Sequence, residues 1–252
     1  MSLKGRHALV TGGSRGIGAA IACALTDAGA RVTVFGRDEE ALRRMLDQGH
    51  AAAMAVVDVT DRAALAAALA QAAAPAPIDI LVNNAGSAET APFLKSTPEM
   101  FARMTDIHLI APVIAAQAVL PAMKAAGFGR IINIASTAAL KGYAYTSAYT
   151  AAKHALLGLT RALALETAAD GVTVNAHCPG YTATDLVSRS VAATARKTGR
   201  SDADVLGDFL KDTPLRRLIE PHEVAAAAVF LCTQAAAAVT GQAIAIDGGE
   251  TM

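Results

Sequence analysis

The feature that most restricts this chain lies in its first 25 residues. His7-Ala-Leu-Val-Thr11 is a short apolar run of strand type, and Ala19-Ala-Ile-Ala-Cys-Ala-Leu25 is an apolar run of helix formers. Between them stand Gly12, Gly13, Ser14, Arg15, Gly16, Ile17 and Gly18. Strand, glycine turn and helix in that order open a dinucleotide-binding βαβ unit. Glycines let the backbone turn tightly and come close to a pyrophosphate. The helix start then offers it free N–H groups and a positive dipole end. A plain glycine-rich turn is the bland alternative, and the placement between strand and helix favours the binding unit.

The alternation continues to the end of the chain. Strand-like runs recur at Arg31–Phe35, Ala52–Val57, Ile78–Val82, Arg130–Ala135, Val172–Asn175 and Ala243–Ile246, with helical stretches between them. Such a pattern predicts an α/β fold: one doubly wound, seven-stranded parallel sheet of Rossmann type across residues 1–252. No repeat, low-complexity tract or linker breaks it. The run Leu109–Met123 is apolar but short and holds two prolines and a glutamine, so it reads as a buried helix and not a membrane span.

Composition narrows the function. The 22 basic and 22 acidic residues cancel, and with 4% aromatics nothing points to nucleic acid or an anionic membrane. The three cysteines, Cys23, Cys178 and Cys232, form no C-x-x-C pair. A disulfide framework and a metal site are therefore not expected, and a reducing, cytoplasmic compartment fits.

Several positions are candidates for cofactor contact. An NAD site expects an acidic residue near the end of the second strand to hold the ribose 2′-hydroxyl. Gly36 and Arg37 stand there instead, and Arg15 sits inside the glycine turn. Two guanidinium groups suit a 2′-phosphate, so NADP is the expected cofactor, with NAD the alternative. Asp38 still has the reach to meet a ribose, and Arg37 can also be read as the solvated start of the next helix. Asp58, beside Val59 at the third strand's end, is a candidate for the adenine amino group or a turn residue. Asn84, Ala85 and Gly86 follow the fourth strand and let a cofactor lie close.

The chemistry is expected at Ser136–Lys153. Tyr149 and Lys153 are four apart in a helix-forming stretch, hence on one face. A cation within about 4–6 Å favours phenolate and lowers a tyrosine pKa. Tyr149 is then a proton donor or acceptor for an alcohol or carbonyl. Ser136 can offer its hydroxyl to the same oxygen. A chance surface pair is the alternative reading of Tyr149 and Lys153 alone.

Taken together, Thr11–Gly18, Asn83–Gly86, Ser136, Tyr149-Thr-Ala-Ala-Lys153, Pro179-Gly180 and Gly241–Gly249 resemble the short-chain dehydrogenase/reductase family over nearly the whole chain. The resemblance implies Tyr149 as the acid–base, Lys153 lowering its pKa and holding the nicotinamide ribose, and Ser136 orienting the substrate oxygen. It implies cofactor support from Asn84, with Thr182 near the carboxamide, and a homotetramer. One position departs from the family. His108 stands where the family has an asparagine that helps place a proton-relay water; it either takes part in that relay or fills the space.

Segment 185–217 resembles branches acting on 3-hydroxyacyl thioesters or 3-hydroxybutyrate. Arg189, Arg196, Lys197, Arg200 and Lys211 make it basic, as for a lid that meets coenzyme A phosphates. A solvated helical excursion is the other reading. Three functions compete: a reductase of 3-oxoacyl thioesters, an NAD-linked dehydrogenase of a small hydroxy acid or cyclic alcohol, and a non-catalytic NADP-binding sensor.

Overall fold

The computed structural model describes residues 2–252. Seven strands, β1 (His7–Thr11), β2 (Arg31–Gly36), β3 (Ala53–Val56), β4 (Ile80–Asn83), β5 (Gly129–Ile134), β6 (Val172–Pro179) and β7 (Ala243–Ile246), form one sheet. Its order is β3-β2-β1-β4-β5-β6-β7, and all its pairings are parallel. The order reverses between β1 and β4, where doubly wound sheets open a crevice for a ligand.

Helices cover both faces. On one, α1 (Gly16–Asp27), α2 (Glu39–Asp47) and α9 (Pro221–Cys232) close over Val10, Val32, Val34, Val82 and Ile132. On the other, α3 (Arg62–Ala73), α5 (Ala111–Ala126) and α6 (Ser147–Thr167) close over Leu9, Phe35, Leu81, Ile131 and Val174. The strands are buried on both faces, which is why they read as unbroken apolar runs. Alanine does much of the filling, so the helices lie close to the sheet.

Two departures from the sequence reading bear on the site. β6 runs four residues beyond Asn175, through Cys178 and Pro179. It is paired on both sides along that stretch, with β5 up to His177 and with β7 from Ala176. Cys-Pro reads as a strand end, but Pro179 closes the strand where its missing N–H is not needed. The helix from Pro98 to Ala126 is also not uniform. α4 (Pro98–Thr105) joins α5 through a wider turn, Asp106–Ile110, of π type. That bulge carries His108 and turns it inward, to 2% exposure. By length and composition alone Pro98–Ala126 is apolar enough to cross a membrane. Here Met104, Ala111, Ala115, Val119 and Met123 bury one face of it.

Candidate active site

A cleft of about 840 Å³ opens at the C-terminal ends of the central strands. The catalytic and cofactor candidates named from the sequence border it, except Gly13 and Gly18 of the glycine turn. Gly18 lies one layer behind. A Cβ there would stand 2.2 Å from the Gly12 carbonyl oxygen and 2.4 Å from Asn84 Nδ2. Asn84 explains the closeness, because its amide donates to the carbonyls of Thr11 (2.9 Å) and Gly12 (3.1 Å). Asn84 therefore holds the glycine turn in shape. The turn and the start of α1 make a cradle of bare backbone, the form an anionic diphosphate fits.

The end of the cleft beyond β2 and β3 has more cation than free carboxylate. Asp38 caps α2, accepting from Ala41 N at 3.0 Å with one of its two oxygens. Asp58, expected either at an adenine amino group or as a turn residue, borders the cleft and also holds its own turn. Its carboxylate accepts from Thr60 N (3.0 Å), Thr60 Oγ1 (2.7 Å) and Arg37 (3.3 Å). Those bonds, the Thr60 amide first, hold its pKa below the usual value. Arg37 is still 68% exposed and borders the cleft with Arg15. This donor set fits a 2′-phosphate.

Ser136, Tyr149, Lys153 and His108 meet in the middle of the cleft. α6 carries Tyr149 and Lys153 on one face, with the lysine Nζ 5.6 Å from the tyrosine ring centroid. Lys153 is 4% exposed and donates to Ile134 O at 2.7 Å. Burial brings its pKa down to about 7. Ser136 follows β5 and accepts from Ala138 N at 3.1 Å.

The expected lowering of the Tyr149 pKa is corrected by this arrangement. Burial raises it, a hydrogen bond with Ser136 pulls the other way, and Lys153 does not enter among the causes. A phenol sealed from water keeps its proton, and a lysine itself desolvated carries less charge to oppose that.

His108 packs edge-on against Tyr149, ring centroids 5.3 Å apart. Its Nε2 lies 2.7 Å from Ser87 O, so that nitrogen carries the proton and donates. Nδ1 is left an acceptor with no partner among the described residues. Burial first, then the charge of Lys153, hold its pKa well below the usual value, so the ring is neutral near pH 7. Its bulk is admitted by Gly86, where a Cβ would stand 2.6 Å from His108 Cε1.

Beyond these groups the cleft is aromatic. Tyr181 and Phe209 stack at 4.8 Å, and Tyr143 also borders the cleft. Residues 185–217 form α7 (Asp185–Thr198), α8 (Asp202–Leu210) and a loop, with a small core of Val191, Ala195 and Val205. The basic character expected of this segment toward the cleft is mostly directed elsewhere. Arg200 pairs with Asp208 and Arg217 with Glu223. Among the described residues, Arg189 is the basic residue of 185–217 that borders the cleft. Sequence reasoning assigned no role to Thr137, Tyr143, Tyr181 or Phe209, although Tyr181 directly follows the Pro179-Gly180 motif. It also missed Glu250, which lies 107 residues from its partner Tyr143.

A sequence profile of the family described as enoyl-(acyl carrier protein) reductase matches residues 12–251. The acetoacetyl-CoA reductase of Rhizobium meliloti is 41% identical, covering 97% of this chain and 98% of that protein. The D-beta-hydroxybutyrate dehydrogenase of the same organism is 37% identical, covering 98% of each. A solved structure of an actinorhodin polyketide ketoreductase variant with NADPH superimposes with a TM-score of 0.93, at 34% identity, covering 100% of this chain and 99% of that one. The chain belongs to the short-chain dehydrogenase/reductase family, whose members are NAD(P)-dependent oxidoreductases acting on hydroxyl and carbonyl groups.

Proposed function

We propose that this chain is an NADP-preferring reductase that interconverts a 3-oxoacyl and a 3-hydroxyacyl thioester. The observation that carries the reading is the meeting of Ser136, Tyr149 and Lys153 where the arginine-bearing groove joins the aromatic pocket. Gly12–Gly18, Arg15, Arg37, Asn84 and Thr182 would hold the cofactor, whose nicotinamide supplies or takes up hydride.

The protein's part is the proton and the geometry. The Tyr149 hydroxyl gives its proton to the substrate oxygen in reduction and takes it back in oxidation. A raised pKa suits the reductive direction, because the proton is retained until an alkoxide, a stronger base, develops. Ser136 donates to the same oxygen and fixes its position. An ammonium has three donors, and Ile134 O takes one from Lys153. The other two remain for ribose hydroxyls and the tyrosine oxygen. His108, an acceptor at Nδ1, serves the proton path to solvent in place of the family's asparagine. The segment 185–217 acts as the substrate lid, and the assembly is a homotetramer, which light scattering after size exclusion tests.

A second reading, a dehydrogenase of a small hydroxy acid or cyclic alcohol, is favoured by Arg189 being the lid cation at the cleft. The loss of reduced-nicotinamide absorbance with acetoacetyl-CoA, under NADPH and NADH in parallel and with acetoacetate as tail-less control, separates the two. Turnover of the thioester with NADPH supports the first. Silence there, with turnover of acetoacetate or a cyclic ketone, supports the second.

A further inference from the structure

Glu250 is an anion that the chemistry above does not use. Its side chain is 2% exposed, although it follows the last strand by only a few residues. Tyr143 donates its phenolic hydrogen to Glu250 Oε1. Lys141 Nζ balances the charge, 3.3 Å from the same oxygen and 3.1 Å from the Glu250 backbone carbonyl. Oε2 has no partner among the described residues. It lies under the cleft wall, 3.0 Å from where a Gly180 Cβ would stand.

Hydrogen counting gives the wall its character. A phenol has one hydrogen, and Tyr143 has two oxygen neighbours, Glu250 Oε1 and Thr137 Oγ1 at 2.7 Å. A carboxylate only accepts, so the phenol hydrogen goes to Glu250 and the Thr137 hydrogen goes to Tyr143. Burial and then the bond to Glu250 push the Tyr143 pKa up, so the hydrogen stays on the phenol. Thr137 and Tyr143 both border the cleft. With their hydrogens spent on each other and on Glu250, what they have left for a ligand is lone pairs, while Lys141 offsets the Glu250 charge. Such a wall attracts an O–H or N–H donor and has no hydrogen to offer a carboxylate or phosphate oxygen.

We propose that Thr137 and Tyr143, polarised by Glu250, form an acceptor-only subsite that reads an uncharged N–H donor on the substrate, the amide of a thioester arm. This rests on the thioester reading above and sharpens it. A free 3-oxo acid would bring a carboxylate, which has no hydrogen to give, whereas a thioester arm brings amide N–H donors. Tyr143 and Thr137 touch the substrate; Glu250 acts through Tyr143 and is a positioning residue.

Two isosteric probes test it: the acetoacetyl thioester of N-acetylcysteamine, and the same thioester with an ester oxygen replacing the amide N–H. With NADPH saturating, the wild type is expected to favour the amide about tenfold in kcat/KM, the worth of one hydrogen bond. The preference should fall to within about twofold in Tyr143→Phe, which removes the oxygen. It should fall likewise in Glu250→Gln, which keeps the shape and removes the charge. Unchanged NADPH affinity in both variants shows that they fold. Equal turnover of the two probes by the wild type would overturn the subsite and leave the thioester reading standing. A preference that survives both substitutions would place the donor elsewhere and also overturn it. No turnover of either probe would remove the thioester reading, and this subsite with it.

Discussion

The two ends of the cleft are built in different ways. The cofactor end is assembled from short contiguous segments: Gly12–Gly18 on one turn, Arg37 with Asp38, Asp58 with Val59, and Asn84–Gly86, each at a strand's C-terminal end. The substrate end is assembled from residues far apart in sequence. Thr137 and Tyr143 come from the loop after β5, Tyr181 from the end of β6, Phe209 from α8, and Glu250 from beyond β7. The first depends on local backbone geometry that a given sequence must satisfy. The second depends on which side chains the completed fold brings together, which leaves more freedom to vary. In the proposed reading, the first end holds the cofactor and the second selects the substrate.

Substitutions can break that contrast. Gly18→Ala should have the largest effect at the cofactor end, since its Cβ has nowhere to go between the Gly12 carbonyl and Asn84. Overpacking of this kind costs about 1–3 kcal/mol. Thermal unfolding should fall by several degrees, and NADPH titration should show affinity at least about tenfold weaker. Ordinary affinity would mean that the turn is not fixed by that contact. Arg37→Ala should weaken NADPH about tenfold, roughly one charge-assisted hydrogen bond, and change NADH little. Equal losses would remove the 2′-phosphate assignment. His108→Asn should keep kcat within about threefold if the imidazole does no more than the family's asparagine. A large loss would show a task only the ring performs.

A pH effect is expected away from both ends. His177 lies in β6 fully buried, with neither ring nitrogen partnered among the described residues. Burial lowers its pKa to about 4 from 6.5. Between those values the unfolded chain takes up the proton and the folded chain does not, so stability falls as pH drops from 6.5 towards 4. The full loss is about 3 kcal/mol. His177→Leu should flatten that slope while changing stability near pH 7 little, because no hydrogen bond is lost. Urea midpoints across the range would show it. An unchanged slope would place the acid sensitivity in another group.

Legibility in the sequence follows the same division. The sheet and the glycine turn were readable because β1 and α1 are consecutive, periodic and punctuated by glycine. Tyr149 and Lys153 were readable because helical spacing puts them on one face. Their electrostatics were not. The pairing suggests a lowered tyrosine pKa, whereas burial, a property of the whole fold, raises it. Asp38 has the reach to meet a ribose, and an aspartate just before a helix also serves the helix N–H groups. The π turn at His108 shifts the helix phase within one turn, too short a change to disturb the apolar pattern around it. A count of the basic residues in 185–217 does not show where each charge points, because ion pairs such as Arg217 with Glu223 decide that.

The most direct test of the account is turnover of acetoacetyl-CoA by the wild type and by Tyr149→Phe, both saturated with NADPH, with cofactor affinity measured alongside. The account predicts that kcat falls about 10³-fold, the scale of losing a positioned general acid, while NADPH affinity stays within several-fold. Turnover by Tyr149→Phe at the wild-type rate would contradict it, since the proton would then come from another group and the meeting of Ser136, Tyr149 and Lys153 would not be the catalytic centre.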